Sequence, residues 1–263
     1  MSLTHKEMQH TLMERLRLYH FPVAVTFLRN EDAIAGFCEQ AEVFAPSSPL
    51  TFCQAETAAR MQGKTVLMRP GNMSCRMASI AFGWQEFEEK DVEMQRKRYT
   101  RTLEQARHVL ADRPKLPKGF LAAAAVGPLG EATIEPSVVH FYCEPLQAYH
   151  LLIDYMAAAD QYPVRPYLST GSAACGGSVF SYLEKSANMV TACAGSYSSG
   201  KTERGELNVM IPGGSIRASV ERLLERVAES GGASATRPGD PFPGLDVCGN
   251  CPLIKFKKLE KNH

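Results

Sequence analysis

Residues 22–28 read Pro-Val-Ala-Val-Thr-Phe-Leu, an apolar run that is rich in β-branched side chains and is bounded by Pro22 and Asn30. A short run of this kind between turn-forming residues is typical of a β-strand buried on both faces. A similar run, Pro-Ser-Val-Val-His-Phe-Tyr, occupies residues 136–142. The two runs predict two equivalent core strands.

The segments that follow these two strands also resemble each other. Each strand is followed by a helix-like segment, a short strand and a glycine-containing turn that ends in a cysteine. The paired segments are residues 53–61 and 146–156, residues 64–68 and 164–168, and residues 71–75 and 171–175. We therefore expect two related halves about a pseudo-twofold axis, with chance similarity between βα units as the alternative.

Other segments are predicted from local patterns. An amphipathic helix is expected at the N-terminus, where Thr4 and Glu7 have the spacing of a capping box. Residues 31–49 are expected to form a loop that ends in a stretch rich in proline and serine. Residues 86–113 mix acidic and basic side chains over a sparse apolar stripe, which predicts a solvated helix pair rather than a charged binding surface.

Two further strands are expected over residues 189–193 and 207–211, followed by an amphipathic helix over residues 216–227. Residues 230–244 are rich in Gly, Pro and Ser, which predicts a linker. The expected fold is α+β, with two βαβα-type halves, an N-terminal helix and a C-terminal Cys-containing tail. The expected parts of this one compact unit are an N-terminal half with the charged insertion (1–113), a C-terminal half (114–229) and the linker and tail (230–263).

Length and charge exclude several classes of protein. A chain of 263 residues with 44% hydrophobic and 22% charged residues can bury a core without disulfide support. Its formal net charge of +1 argues against a general nucleic-acid or membrane-surface binder. No run approaches the roughly 18 consecutive apolar residues of a transmembrane helix, and the N-terminus lacks the apolar core of a signal peptide. A cytoplasmic protein is therefore expected.

The eight cysteines need an explanation. Eight in 263 residues fall far below the density of a disulfide scaffold, and cytoplasmic thiols stay reduced. They are expected to serve as buried small side chains, as metal or cluster ligands, or as reactive thiols. Four disulfides are the alternative if the protein is not cytoplasmic.

Several short motifs, in their order and spacing, resemble the bacterial and archaeal family called domain of unknown function 169. The motifs are the run at residues 22–28, Phe52-Cys-Gln-Ala55, Asn72-Met-Ser-Cys75, Pro145-Leu-Gln-Ala148, Ser172-Ala-Ala-Cys175, Thr191-Ala-Cys-Ala-Gly195 and the block at residues 205–212. The resemblance implies that Cys53, Cys75, Cys175 and Cys193 occupy family positions. It implies no activity, because the family's name records that none is known.

These four cysteines lie at the ends of predicted elements, where metal ligands usually sit. Cys75 and Cys175 each follow a turn and begin a helix-like segment, whose N–H groups and dipole stabilise a thiolate and can donate to cluster sulfides. Cys53 begins a predicted helix, and Cys193 ends a predicted strand. Four soft thiolates favour an iron–sulfur cluster or Zn²⁺, whereas any one of them alone would more simply be an inert buried side chain.

The other cysteines are assigned separately. Cys248 and Cys251 form a CxxC pair whose sulfurs can bind one metal. The pair could complete a cluster, form a separate zinc site, act as a redox dithiol or have no function. Cys143 ends a predicted strand and is expected to pack in the core, and Cys38 is placed in the predicted loop without a role.

No other catalytic signature is present in the sequence. Residues 212–215 (PGGS) could bind an anion through backbone N–H groups, but a plain strand-to-helix turn is favoured. The histidines show no paired ligand spacing, and His140 and His150 are expected to have ordinary core or surface roles.

The leading hypothesis is a cytoplasmic [4Fe–4S] protein whose cluster ligands are Cys53, Cys75, Cys175 and Cys193, with Cys248 and Cys251 as auxiliary or second-site ligands. It would transfer electrons to a redox partner protein, or bind a small anion or thiol at an exposed iron. The first alternative is a zinc- or thiol-based regulatory module without enzymatic activity. The second is a thiol enzyme with Cys75 or Cys175 as nucleophile, for which the sequence shows no base. Enzymatic activity and a homodimeric state both stay open.

Overall fold

The structure, a computed structural model, describes residues 2–168 and 171–230. In these residues the α-helices are His5–Leu16 (α1), Glu31–Gln40 (α2), Phe52–Gln62 (α3), Arg76–Ala81 (α4), Glu89–Tyr99 (α5), Leu103–Ala111 (α6), Pro145–Ala159 (α7), Ala173–Glu184 (α8), Ala194–Ser198 (α9) and Gly213–Ser230 (α10). The strands are Val23–Leu28 (β1), Val43–Phe44 (β2), Thr65–Met68 (β3), Ala123–Pro128 (β4), Val138–Cys143 (β5), Asn188–Val190 (β6) and Leu207–Pro212 (β7). None of these helices is long and apolar enough to cross a membrane.

The seven strands form one mixed sheet in the order β2–β3–β4–β1–β5–β7–β6. β1 lies at its centre and pairs antiparallel with both β4 and β5. β2 and β3 are parallel, and the remaining pairs are antiparallel. The expected α+β class is therefore confirmed. The pseudo-twofold relation stays a prediction. The strands of the two expected halves belong to a single sheet, in which β4 of the second half lies between β3 and β1 of the first.

Helices cover both faces of this sheet because successive side chains of a strand point to opposite faces. Val23 and Val25 of β1 pack into the same core as α3, α4 and α8. Ala24, between them, joins the opposite core, which contains the apolar faces of α1, α7 and α10. Val23, Val25 and Ala24 are all buried, so β1 is an interior strand, as its continuous apolar sequence predicts.

The N-terminal helix forms as predicted. Thr4 and Glu7 make the expected capping box, with the Thr4 N–H donating to the Glu7 carboxylate over 2.7 Å. Met8, Leu12 and Leu16 then face the core at helical spacing. The charged segment also forms the predicted helix pair, α5 and α6.

Two local predictions were wrong. The expected loop at residues 31–49 contains α2, which begins where the Asn30 side chain accepts a hydrogen bond from the Ala33 N–H over 2.8 Å. Residues 164–168 form no strand. Pro163 and Pro166 explain this, because proline cannot donate a ladder hydrogen bond.

The turn from β7 into α10 is a close backbone contact. The Gly213 N–H donates to the carbonyl oxygen of Ser137 over 3.0 Å. A Cβ atom at Gly213 would overlap the carbonyl oxygen of Pro136, whereas one at Gly214 would meet nothing within 4 Å. The glycine at residue 213 is therefore explained by packing of the turn against the start of β5.

We predict opposite effects for two neighbouring substitutions. Gly213→Ala should lower the free energy of unfolding by about 3 kcal/mol, because backbone must move to admit the methyl group. Gly214→Ala should raise it by about 0.5 kcal/mol, because alanine is the better helix former. Urea denaturation measures both values, and equal effects of the two substitutions would contradict the contact.

Candidate functional site

Each of the four predicted ligand cysteines lies at the N-terminus of a helix. Cys53 is the second residue of α3 and Cys175 the third residue of α8. Cys75 and Cys193 are the N-cap residues of α4 and α9. All four are free thiols; Cys175 is buried and the other three are half-buried. The first N–H groups of a helix lack partners within the helix, so these positions favour a negatively charged sulfur.

Cys53 is held in place by the residues on either side of it. The Gln54 N–H donates to Thr51 Oγ1 over 3.2 Å, and the Thr51 N–H donates to Gln54 Oε1 over 2.8 Å, which completes a capping box. Phe52 is buried and packs edge-to-face on Phe82, with ring centroids 5.1 Å apart. The backbone at Cys53 therefore has little freedom to move.

Cys53 and Cys193 influence each other through their sulfurs, with the Cys53 thiol in the role of donor and the Cys193 sulfur in the role of acceptor. This interaction is the main reason that the pKa of Cys193 falls to about 5; burial opposes the shift, and the N–H groups of Ser196, Ala173 and Gly195 add to it. The same interaction, with burial, raises the pKa of Cys53 well above its ordinary value. At neutral pH Cys193 is therefore a thiolate and Cys53 a thiol.

The pKa of Cys175 depends on the charge of other cysteines, and its own charge affects Cys53 in turn. Burial is the main cause of its raised pKa, and negative charge on Cys75 or Cys193 raises that pKa further. Charge on Cys175 in turn raises the pKa of Cys53. Cys53, Cys75, Cys175 and Cys193 thus interact as one set of thiols, which we call the cysteine group. In the described part of the chain, no three His, Cys, Asp or Glu side chains are arranged to hold a single metal ion.

A buried polar network lies next to Cys53. Glu56, one helical turn beyond it, His140 of β5 and Ser178 of α8 are all fully buried. His140 Nδ1 lies 2.7 Å from Glu56 Oε1, an ion-pair distance without in-line hydrogen-bond geometry, and His140 Nε2 lies 2.8 Å from Ser178 Oγ. The Tyr142 hydroxyl donates to Glu56 Oε2 over 2.7 Å. The network ties α3, β5 and α8 together.

The sequence interpretation missed this network, although two signals point to it. Residues 138, 140 and 142 alternate onto one face of a buried strand, so polar side chains at His140 and Tyr142 require partners. Glu56 is the sole acidic residue of α3, and it lies on the buried side of that helix. The sequence interpretation predicted an ordinary core role for His140. It did not predict that His140 belongs to a buried polar network.

A buried ion pair between Arg60 and Glu206 lies next to Tyr142 of the network. The Arg60 guanidinium, 3% exposed, donates to Glu206 Oε1 over 2.8 Å and to the Lys201 carbonyl over 3.0 Å. It also lies 4.1 Å above the ring of Tyr142. Arg60 is therefore paired with a carboxylate, although its Nε has no hydrogen-bond partner among the described residues.

The remaining cysteines lie apart from the group or outside the described residues. Cys143 is buried in the opposite core, with α1, α7 and α10, and burial raises its pKa to about 12. The core role expected for Cys143 is confirmed. Cys38 is exposed on α2. Cys248 and Cys251, predicted as auxiliary ligands, lie outside the described residues.

The fold and the cysteine group define a class of α+β protein with helices on both faces of a single sheet and thiols at the helix N-termini of one face. The chain belongs to the DUF169 family, described as uncharacterised ArCR, COG2043, whose family model matches residues 11–222. The matched segment includes all four cysteines of the group and excludes Cys248 and Cys251. No curated protein and no solved structure matches the chain significantly.

We predict that Cys193 is alkylated as a thiolate in metal-free protein. Its reaction rate with iodoacetamide, followed by mass spectrometry, should be half-maximal near pH 5, because the thiolate is the reacting form. Exposed Cys38 provides an internal reference in every sample.

Two variants of Cys53 test the cause of this shift. Cys53→Ala removes the donor and should move the half-maximal pH of Cys193 alkylation upward, whereas Cys53→Ser keeps a hydroxyl donor and should move it less. A Cys193 rate that increases only above pH 8 in the unmodified protein would show that the sulfur is an ordinary thiol.

Proposed function

We propose that the cysteine group holds a [4Fe–4S] cluster in a cytoplasmic protein that transfers electrons or binds a small ligand at the cluster. The proposal is supported by four free cysteines, each at the start of a different helix, that influence one another's charge. Cys175 belongs to one core cluster, and Cys53 and Cys75 pack against that same cluster. Clusters are held by Cys thiolates that need not be adjacent in sequence. When bound, the cluster would supply a one-electron redox centre.

The protonation of these thiols supports a positively charged occupant. Cys53 and Cys175 have raised pKa values, so both are neutral thiols at neutral pH when nothing is bound. A coordinated metal deprotonates thiols, because its charge compensates the cost of a buried thiolate. Cys193 is already a thiolate and would be the first ligand to bind.

A cluster fits this group better than a single zinc ion. Each cysteine of a cluster binds a different iron, so its sulfurs are farther apart than the four ligands of one tetrahedral ion. The described cysteines interact without forming a ready single-ion site. Binding would replace the interaction between the Cys53 and Cys193 sulfurs with two metal–sulfur bonds.

The predicted repeat adds an independent argument. Cys75 and Cys175 are placed at corresponding positions of the two sequence halves, and the helices that they begin, α4 and α8, pack against each other. A repeat with one ligand-bearing turn per half naturally brings two thiolates to one centre. Cys248 and Cys251 would then be auxiliary ligands or the ligands of a second site.

A thiol-dependent enzyme is the second candidate function. One observation favours it, namely the Cys193 thiolate stabilised by a neighbouring thiol and by backbone N–H groups. The nucleophile would then be Cys193 rather than Cys75 or Cys175, the residues considered from the sequence. A general base to deprotonate Cys193 would be unnecessary, because the thiolate already exists at neutral pH.

The test is metal analysis of protein purified without oxygen. We expect about four irons and four sulfides per chain, with the broad visible absorption of a [4Fe–4S] centre. Cys75→Ser and Cys175→Ser should each lose most of the iron, whereas Cys38→Ser, at an exposed position on α2, should keep it. Zinc without iron would favour the regulatory module, and a metal-free protein with a reactive Cys193 would favour the enzyme.

The tail is tested with the double variant Cys248→Ser/Cys251→Ser. Unchanged iron content would place the cluster on the cysteine group alone. Loss of zinc with retention of iron would identify a second site. Loss of iron equal to that of Cys175→Ser would show that the tail supplies ligands to the same centre.

A further inference from the structure

We propose that Arg113 and Gln95 form a buried binding site for a small monocarboxylate next to the cysteine group. Arg113 and Gln95 would bind, as an anion, the small ligand considered under the proposed function. The relevance of this site to a cluster rests on that proposed function. Buried donors that have no acceptor among the described residues point to the site.

Arg113 follows α6 and is a buried cation without a carboxylate partner. It is 6% exposed, and within residues 2–168 and 171–230 no Asp or Glu pairs with it. Its Nη2 donates to Gln95 Oε1 over 2.7 Å, and its Nη1 lies 3.3 Å from the sulfur of Met77. Neither partner carries a negative charge, so among the described residues no hydrogen-bonded anion compensates the cation, and the negative charge of Cys193 acts on it only from farther away. Burying an unpaired charge costs several kcal/mol.

Two N–H groups at this place have no acceptor in the part of the chain that the structure describes. Arg113 Nε and Gln95 Nε2 are both buried, and neither makes a hydrogen bond to a described residue. The two side chains are already joined by the bond between Nη2 and Oε1, so their free donors belong to one small region. Two donors match the two oxygens of a carboxylate, and charge-assisted bonds of this kind are the strong ones. A water molecule could satisfy the donors but could not neutralise the charge.

The position of Arg113 connects this region to the cysteine group. A Cβ atom at Gly171, in the turn that leads to Cys175, would lie 3.2 Å from Arg113 Nη2. Burial lowers the pKa of Arg113, and negative charge on Cys175 is the largest influence that raises it again. A ligand at Arg113 would therefore lie close to the thiols that we propose as cluster ligands.

A positively charged cleft lies on the outer side, between α5 and α6. It has a volume of about 940 Å³, and its charged lining consists of Lys97, Arg98, Arg101, Arg107, His108 and Glu104. It is also lined by Tyr99, which lies within electrostatic range of Arg113. A cleft with an excess of cations raises the local concentration of anions. A monoanion is preferred at the buried site because Arg113 offers a single charge, and a dianion would leave one charge buried and unpaired.

The first experiment measures anion binding to the full-length protein, both as purified and after metal removal. Sodium formate, acetate and propionate are compared with sodium chloride and sodium phosphate at equal ionic strength. We expect at least one carboxylate to raise Tm by about 5 °C near one hundred times its Kd, with no equal effect of chloride or phosphate. No carboxylate-dependent shift, or an equal shift with phosphate, would overturn the proposal.

Matched variants locate the site. Arg113→Met should abolish the carboxylate shift and should keep Tm in chloride at or above the unmodified value, because it removes an uncompensated charge. Arg60→Met is the control: it breaks the buried pair with Glu206, so Tm should fall while the carboxylate shift remains. An unchanged shift in Arg113→Met, or a loss of Tm equal to that of Arg60→Met, would overturn the proposal.

Gln95→Leu is a second variant that tests the same site if Arg113→Met does not fold. It retains the charge and removes one of the two donors, so carboxylate binding measured by calorimetry should weaken about tenfold. Unchanged affinity would exclude Gln95 from the site. Because binding is measured without metal as well, the site can fail while the cluster is confirmed, and it can be confirmed while the cluster fails.

Discussion

The structure depends on the complete enclosure of β1. This strand pairs with β4 on one edge and β5 on the other, and helices cover both of its faces. Val23 and Val25 are wholly buried, so the strand can contain neither a charge nor an unpaired backbone group. Once β1 is placed, the side of the sheet on which α3, α4 and α8 pack is determined. The cysteine-bearing ends of these helices are thereby brought to the same layer.

The enclosed strand also explains why a polar network can exist beneath the cysteines. β5 lies next to β1, and Val23 is directly opposite His140 in the register. The side chain of His140 therefore enters the same layer as the valines, where it must find partners or lose stability. Ser178 of α8 meets this requirement at Nε2, and the Glu56 carboxylate of α3 lies 2.7 Å from Nδ1. The network is thus a polar insertion in an otherwise apolar core, and it orients α3 and α8 with respect to each other.

The elements that were predictable from sequence are those whose pattern is local. The runs at residues 22–28 and 136–142 are mostly apolar because both faces of β1 and β5 are buried, and the few polar residues in them include His140 of the buried network. α2 was missed because its apolar side chains are few; Ile34 and Phe37 alone face the core. The strand expected at residues 164–168 came from aligning the two halves, and the prolines there override that alignment.

The candidate site was predictable only in part, for the same reason. The helix starts at Cys53, Cys75 and Cys175 can be read from neighbouring residues, because a turn followed by a helix is a local signal. The partners of those cysteines cannot, because they depend on which strands are adjacent. The interaction of Cys53 with Cys193, the close approach of Glu56 to His140 and the lack of a carboxylate partner for Arg113 among the described residues are all products of tertiary packing.

The separation of the group along the chain has a consequence for how the protein folds. Its first and last members, Cys53 and Cys193, enclose most of the sheet between them, including β3, β4, β5 and β6. Any group that binds all four sulfurs acts as a cross-link that closes long loops, and it binds the folded chain alone. Part of the stability of such a protein would be set by the supply of that group rather than by its core. Cells short of it would contain a chain of the same sequence that unfolds, and is degraded, more readily.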